Sequence, residues 1–152
     1  MALESTSQLI GEFGRTIGIE NLALDEKGCC CLMFDDVMLN LELTPEPEQF
    51  FIYAELGDIP EHGRDEFYAQ LLEANFFFRG TGGATLSLDR GANCVLLAYQ
   101  MASHDLFLQR FSQILENFVN VAATWREKIA SAGHGAPSAA DAVPVDAPWL
   151  RA

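Results

Sequence analysis

The chain has 152 residues and a formal net charge of −13, from 22 acids against 9 Lys or Arg. That length suits one domain able to bury a substantial core. The charge speaks against nucleic-acid or anionic-membrane partners, which need clustered Lys and Arg. No apolar run approaches the ~20 residues needed to span a bilayer. The N-terminus lacks the basic start and apolar stretch of a secretory signal, so the reading is a soluble, cytosolic protein.

Leu3 to Ile17 reads as a first helix, with Leu9, Phe13 and Ile17 four residues apart on one face. Cys29 to Phe34 reads as a strand and Asp35-Asp36 as a tight turn. From Val37 to Leu43, Val37, Leu39, Leu41 and Leu43 alternate with Met38, Asn40 and Glu42, the signature of a half-buried strand. Thr44-Pro45-Glu46-Pro47 ends it, because proline cannot donate to a sheet ladder. Phe50 to Leu56 is a third strand. It sends Phe50, Ile52, Ala54 and Leu56 one way and Phe51, Tyr53 and Glu55 the other. Short turns make these three strands an antiparallel meander. Met38, Phe51 and Tyr53 on its outward face form either an exposed apolar patch, the mark of a contact site, or a surface under a helix.

A second helix opens at Pro60 or Gly63 and runs to about Phe77, with Phe67, Tyr68, Leu71, Leu72 and Phe76 as a wide apolar stripe. Gly80, Gly82 and Gly83 permit a sharp reversal. Ala84 to Asp89 and Cys94 to Met101 form a hairpin about Arg90-Gly91-Ala92-Asn93. Ser103 is a natural N-cap for the last helix. In that helix Phe107, Phe111, Ile114, Leu115, Phe118, Ala122, Trp125 and Ile129 recur at helical spacing. The order αβββαββα defines an α+β domain, a twisted antiparallel sheet with helices packed on it. The domain covers residues 1–130, and residues 131–152 form an Ala/Pro-rich tail with little to bury. Trp149 and Leu150 in that tail are either a small docking motif or incidental.

Little here carries chemistry. Gly80 to Thr85 (GTGGAT) lacks the last glycine of GxGxxG and the GK[ST] of a P-loop, and it lies between a helix and a strand in the wrong order. Cys29, Cys30, Cys31 and Cys94 lack the spacing of a zinc site, and the histidines are scattered. They read as free core thiols, with a metal or redox site as the alternative. From Glu42 to Glu66, eight acids stand against Arg64, a net of −7 that reads as a solvated face or as complementarity to a basic partner. The residues point to a binding module without a catalytic, cofactor or metal site.

Three stretches carry a family resemblance: LLEANFFFRGTGGATLSLD, VLLAYQM and FLQRFSQILENFVNVAATWREKI. Together they resemble the Tir-chaperone (CesT-like) family, class I chaperones of bacterial type III secretion systems. The resemblance covers about Ser5 to Ile129, and the element order is also that family's. It implies a non-enzymatic homodimer of the bacterial cytoplasm, without cofactor. Such a protein binds the N-terminal region of a secreted effector in extended form, keeps it soluble and delivers it to the secretion apparatus. The secretion ATPase or sorting platform would be a further partner. The alternative is a regulatory or scaffolding interaction domain of the same fold that escorts no effector. Carried onto this sequence, the dimer surface implied is Leu72, Phe76, Leu86 and Leu88. The effector-binding surface implied is Phe13, Ile17, Met33, Met38, Phe51 and Tyr53.

Overall fold

A computed structural model describes residues 2–133. Three α-helices, α1 (Ala2–Thr16), α2 (Arg64–Asn75) and α3 (Leu108–Ala132), accompany five strands. The strands are β1 (Cys29–Phe34), β2 (Val37–Pro45), β3 (Glu48–Asp58), β4 (Thr85–Asp89) and β5 (Cys94–Ala102). They form one antiparallel sheet in the order β1-β2-β3-β5-β4. The expected α+β order is therefore present, with β5 inserted between β3 and β4.

The alternation read from the sequence decides which face is buried. Val37, Leu39, Leu41 and Leu43 of β2 lie in the core beside Phe50, Ile52, Ala54 and Leu56 of β3. Val95, Leu97 and Met101 of β5 continue the layer. α3 covers this face with Phe111, Leu115, Phe118, Ala122, Trp125 and Ile129. Phe111 links three elements, edge-on to Phe13 of α1 at 5.0 Å and to Phe50 of β3 at 5.9 Å between ring centres. Such pairs contribute ~0.5–1.5 kcal/mol beyond area burial.

Several boundaries differ from expectation, each for a local reason. α1 ends at Thr16, and its buried face is Thr6, Ile10 and Phe13; Ile17 lies beyond the helix and is exposed. β2 runs on to Pro45, which pairs with Glu48 as the last rung before the turn. Ser103 does not cap α3. It opens a short 3₁₀ turn, Ser103–Asp105, and its hydroxyl donates to the Glu48 carboxylate. α3 starts after Phe107, whose carbonyl accepts from the Phe111 amide, and runs through Ala132. Trp149, Leu150 and most of the Ala/Pro-rich stretch lie outside the described residues.

The junction after α2 is more constrained than its sequence suggests. α2 stops at Asn75, because Phe77 and Phe78 adopt positive φ (49° and 55°) within and at the end of the 3₁₀ turn Phe76–Phe78. Bulky side chains rarely occupy that region. A Cβ on Gly80 would come within 2.7 Å of the Ala74 Cβ, and Gly82 has φ +60° with Asn117 against it. α3 holds the glycine loop from the other side: Trp125 Nε1 donates to the Gly80 carbonyl at 2.7 Å and Asn117 Nδ2 to the Gly82 carbonyl at 2.9 Å.

Asn75 also closes part of a sheet edge. Its Nδ2 donates to the Leu86 carbonyl at 3.0 Å, and its Oδ1 accepts from the Leu86 amide at 2.8 Å. The amide side chain thus stands where a neighbouring strand's backbone would stand, at one rung of edge strand β4. Such edges otherwise template unwanted pairing. Asn75→Ala is expected to lower stability by about 1–3 kcal/mol, from two lost bonds at ~0.5–1.5 kcal/mol each. Urea unfolding measures it; an unchanged midpoint would assign the amide no role at this edge.

Candidate functional site: an open sheet face and an apolar patch on the second helix

The face of the sheet opposite α3 is open. Among the described residues no helix is laid across it, and Cys31, Met33, Met38, Glu55, Thr85, Ser87 and Gln100 are exposed. Met33 and Met38 are register partners on β1 and β2, 57% and 50% exposed. Two unbranched, polarizable side chains opposite one another make an adaptable apolar contact surface. Phe51 and Tyr53 of β3 lie on the same face and are half-buried. Tyr53 is fixed from both sides: its hydroxyl lies 3.5 Å from a Glu42 carboxylate oxygen, and its carbonyl accepts from Asn40 Nδ2. Burial and then the Glu42 charge raise the Tyr53 pKa, so the phenol stays neutral and available as a donor.

The two sheet edges differ. β4 is partly closed by Asn75, as described. β1 pairs only with β2, and among the described residues no strand lies along its outer edge. Asp25 occupies the first rung: its Oδ1 accepts from the Cys29 amide at 2.9 Å, and its own amide donates to the Cys29 carbonyl at 2.8 Å. Beyond that rung the edge runs past Cys31 and Met33, beside the methionine pair.

The cysteines are free, as expected, but only Cys94 is a core thiol. Cys29 and Cys30 are half-buried, and Cys31 is exposed with its thiol donating to Asn40 Oδ1 at 3.3 Å. The period of a strand explains this, since three successive residues cannot all face one core. Burial raises the pKa of Cys29, with Glu42 and Asp25 adding to the effect. Burial also raises Cys30, reinforced by Cys31 and Asp25. Cys94 is raised by burial and then by Glu55, Asp89 and Asp58. Thiols held protonated are poor nucleophiles and poor metal ligands. Among the described residues no group of three His, Cys, Asp or Glu is placed to hold a metal ion. His104 is exposed beside Asp105 at 3.7 Å. No described helix is long and apolar enough to cross a membrane.

The implied site residues fall into two groups. Met33, Met38, Phe51 and Tyr53 share the open face. Ile17 is exposed past the end of α1, off the sheet. Phe13 is a correction: only 5% exposed and packed on Phe111, it offers no surface to a partner in this conformation. In the second group, Leu72 is 70% exposed, and Phe76 and Leu88 are exposed beside it in the chain order of α2 and β4. Leu86 is the second correction. It is 4% exposed and faces inward opposite Leu97, so it is a core residue of the single chain. Phe77 (69% exposed) and Phe78 were not among the implied residues. The signal was the run of three phenylalanines at a helix end, which no single face can bury together.

An exposed apolar strip on α2 and its 3₁₀ extension, together with an open sheet face carrying methionines, defines a protein-binding module. The model of the Tir chaperone protein (CesT) family matches residues 8–126. A Tir chaperone of Citrobacter freundii is 28% identical over 128 residues, covering 84% of this chain and 79% of that protein. The transcriptional anti-antiactivator ExsC of Pseudomonas aeruginosa is 29% identical over 121 residues, covering 79% of this chain and 82% of its own. The solved ExsC–ExsE complex superposes with a TM-score of 0.73 at 26% identity, over 84% of this chain and 95% of the other. The chain belongs to the Tir chaperone protein (CesT) family, and its class is that of the type III secretion chaperones.

Proposed function

We propose that this protein is a homodimeric chaperone of the bacterial cytoplasm that holds the N-terminal region of a secreted effector extended on its surface. It keeps that segment soluble and hands it to the secretion apparatus, with the secretion ATPase or sorting platform as receiving partner. The observation that carries the reading is the exposed Met33–Met38 pair beside the outer edge of β1. An extended segment laid along that edge gains main-chain hydrogen bonds, while alternate side chains reach the apolar face. The net charge of −13 keeps a protein with such surfaces soluble. Dimerisation runs through Leu72, Phe76, Phe77 and Leu88, which are exposed in the single chain.

Co-expression with the N-terminal segment of an effector encoded beside this gene tests the proposal. A soluble complex in which the segment is extended is expected; a segment that stays insoluble and unbound refutes the reading for that client. A regulatory role is the second reading, favoured by the similarity to a transcriptional anti-antiactivator. It predicts instead a stable complex with a cytoplasmic regulator, displaced when a secreted client is supplied.

A further inference from the structure

The five strands contain no lysine, arginine or histidine. They do place two carboxylates on the open face. Glu42 is the register partner of Phe51, and Glu55 stands two residues beyond Tyr53 on β3. Glu42 is half-buried and meets the Tyr53 hydroxyl at 3.5 Å. An ionised carboxylate offers roughly four acceptor positions, of which that long contact takes one. Nearby, the charges of Asp25 and Lys27 both reach Cys29, the register partner of Glu42. That end of the face therefore holds two carboxylates and one ammonium.

The other end is apolar. Met38 lies four residues before Glu42 on the same strand and the same face, about 13 Å away along β2. An extended peptide repeats this spacing, with alternate side chains on one side. We infer that the segment bound on the open face is cationic, with an apolar side chain over the Met33–Met38 pair and a Lys or Arg two or four residues away, directed at Glu42. This rests on the reading of the open face as the client site and names the chemistry of the client. Even spacing follows from the period of a strand, and the shorter spacing is open to a long side chain that reaches diagonally. Charge complementarity selects this occupant. A neutral segment would cover a half-buried carboxylate without giving it a partner, which is unfavourable. A second copy of the chain would bring a net charge of −13, and strands without a base, to an acidic face.

A displayed library of random peptides the length of β3, selected on the intact protein, tests the inference. The selected peptides should carry Lys or Arg two or four residues from Leu, Ile, Val, Met or Phe. Glu42→Gln keeps the size and an acceptor for Tyr53, and it should lower their affinity about fivefold, the upper end for a partly exposed ion pair. The loss should shrink at high salt, where such pairs are screened. Glu46→Gln removes an equal charge from the exposed turn between β2 and β3 and should change affinity little. No excess of cations at these spacings, or equal losses for the two Gln variants, would overturn the inference while leaving the open face as the client site. Met33→Ser/Met38→Ser removes the apolar surface without adding charge and tests the underlying reading separately. Peptides that bind this variant as tightly as the parent, or a selection that returns no binder, would overturn that reading and the inference with it.

Discussion

Leu72→Asp is expected to convert the proposed dimer to a monomer at micromolar concentration, with its helical signal and unfolding midpoint nearly unchanged. Leu72 is 70% exposed in the single chain, so a carboxylate there costs the fold little. Burying a Leu side chain contributes ~1.5–3 kcal/mol. A twofold interface uses the same patch on both subunits, so one substitution removes two such contacts. The expected loss is about 3–6 kcal/mol, or at least a hundredfold in dissociation constant. Two like charges brought together add to it. Light scattering or sedimentation reads the mass directly, and a mass that stays dimeric would place the interface elsewhere. Leu86→Asp makes the instructive contrast. Leu86 is 4% exposed against the core, so that carboxylate would be buried without a partner. Such a group costs several kcal/mol, a large share of a domain's total stability. Its expected outcome is an unfolded chain, not a folded monomer.

That contrast shows where sequence reasoning stops. Leu86 and Leu88 alternate correctly and share a face, as the period of a strand requires. Alternation says which residues travel together but not how far a covering layer extends. Here the cover reaches Leu86 and thins at Leu88, at the rim of the sheet. The same holds for Phe13, whose helical stripe was visible while its contact with Phe111, almost a hundred residues away, was not. Elements whose hydrophobic period matched a single burial direction were legible: Val37 to Leu43, Phe50 to Leu56, and the long stripe of α3. Devices made by one polar side chain reaching a distant backbone were not. Asn75 looks like an ordinary helix-end residue until Leu86 is beside it, and Ser103 looks like an N-cap until Glu48 takes its hydroxyl. The candidate binding face was half legible for the same reason. Spacing put Met38, Phe51 and Tyr53 together but left open whether a helix covers them, and only the packing of α3 on the opposite side decides it.

Met33→Asp/Met38→Asp is expected to weaken the complex with an effector's N-terminal segment at least a hundredfold while leaving the dimer intact. Both side chains are at least half exposed and directly opposed across β1 and β2, so the double variant should fold. Each methionine covered by a client contributes ~1.5–3 kcal/mol, and the pair therefore accounts for about 3–6 kcal/mol of client affinity. The replacement also places two like charges face to face beneath the bound segment, an unfavourable cross-strand arrangement. Phe51→Asp should weaken the client as well, but Phe51 is half-buried, so some of its effect will appear as lost stability. The methionine pair separates the two effects. Calorimetry with the effector segment and light scattering on the free protein should be run on the same preparation. Unchanged client affinity in a folded dimer would move the client off the open face, and loss of the dimer together with the client would show that the two surfaces are one.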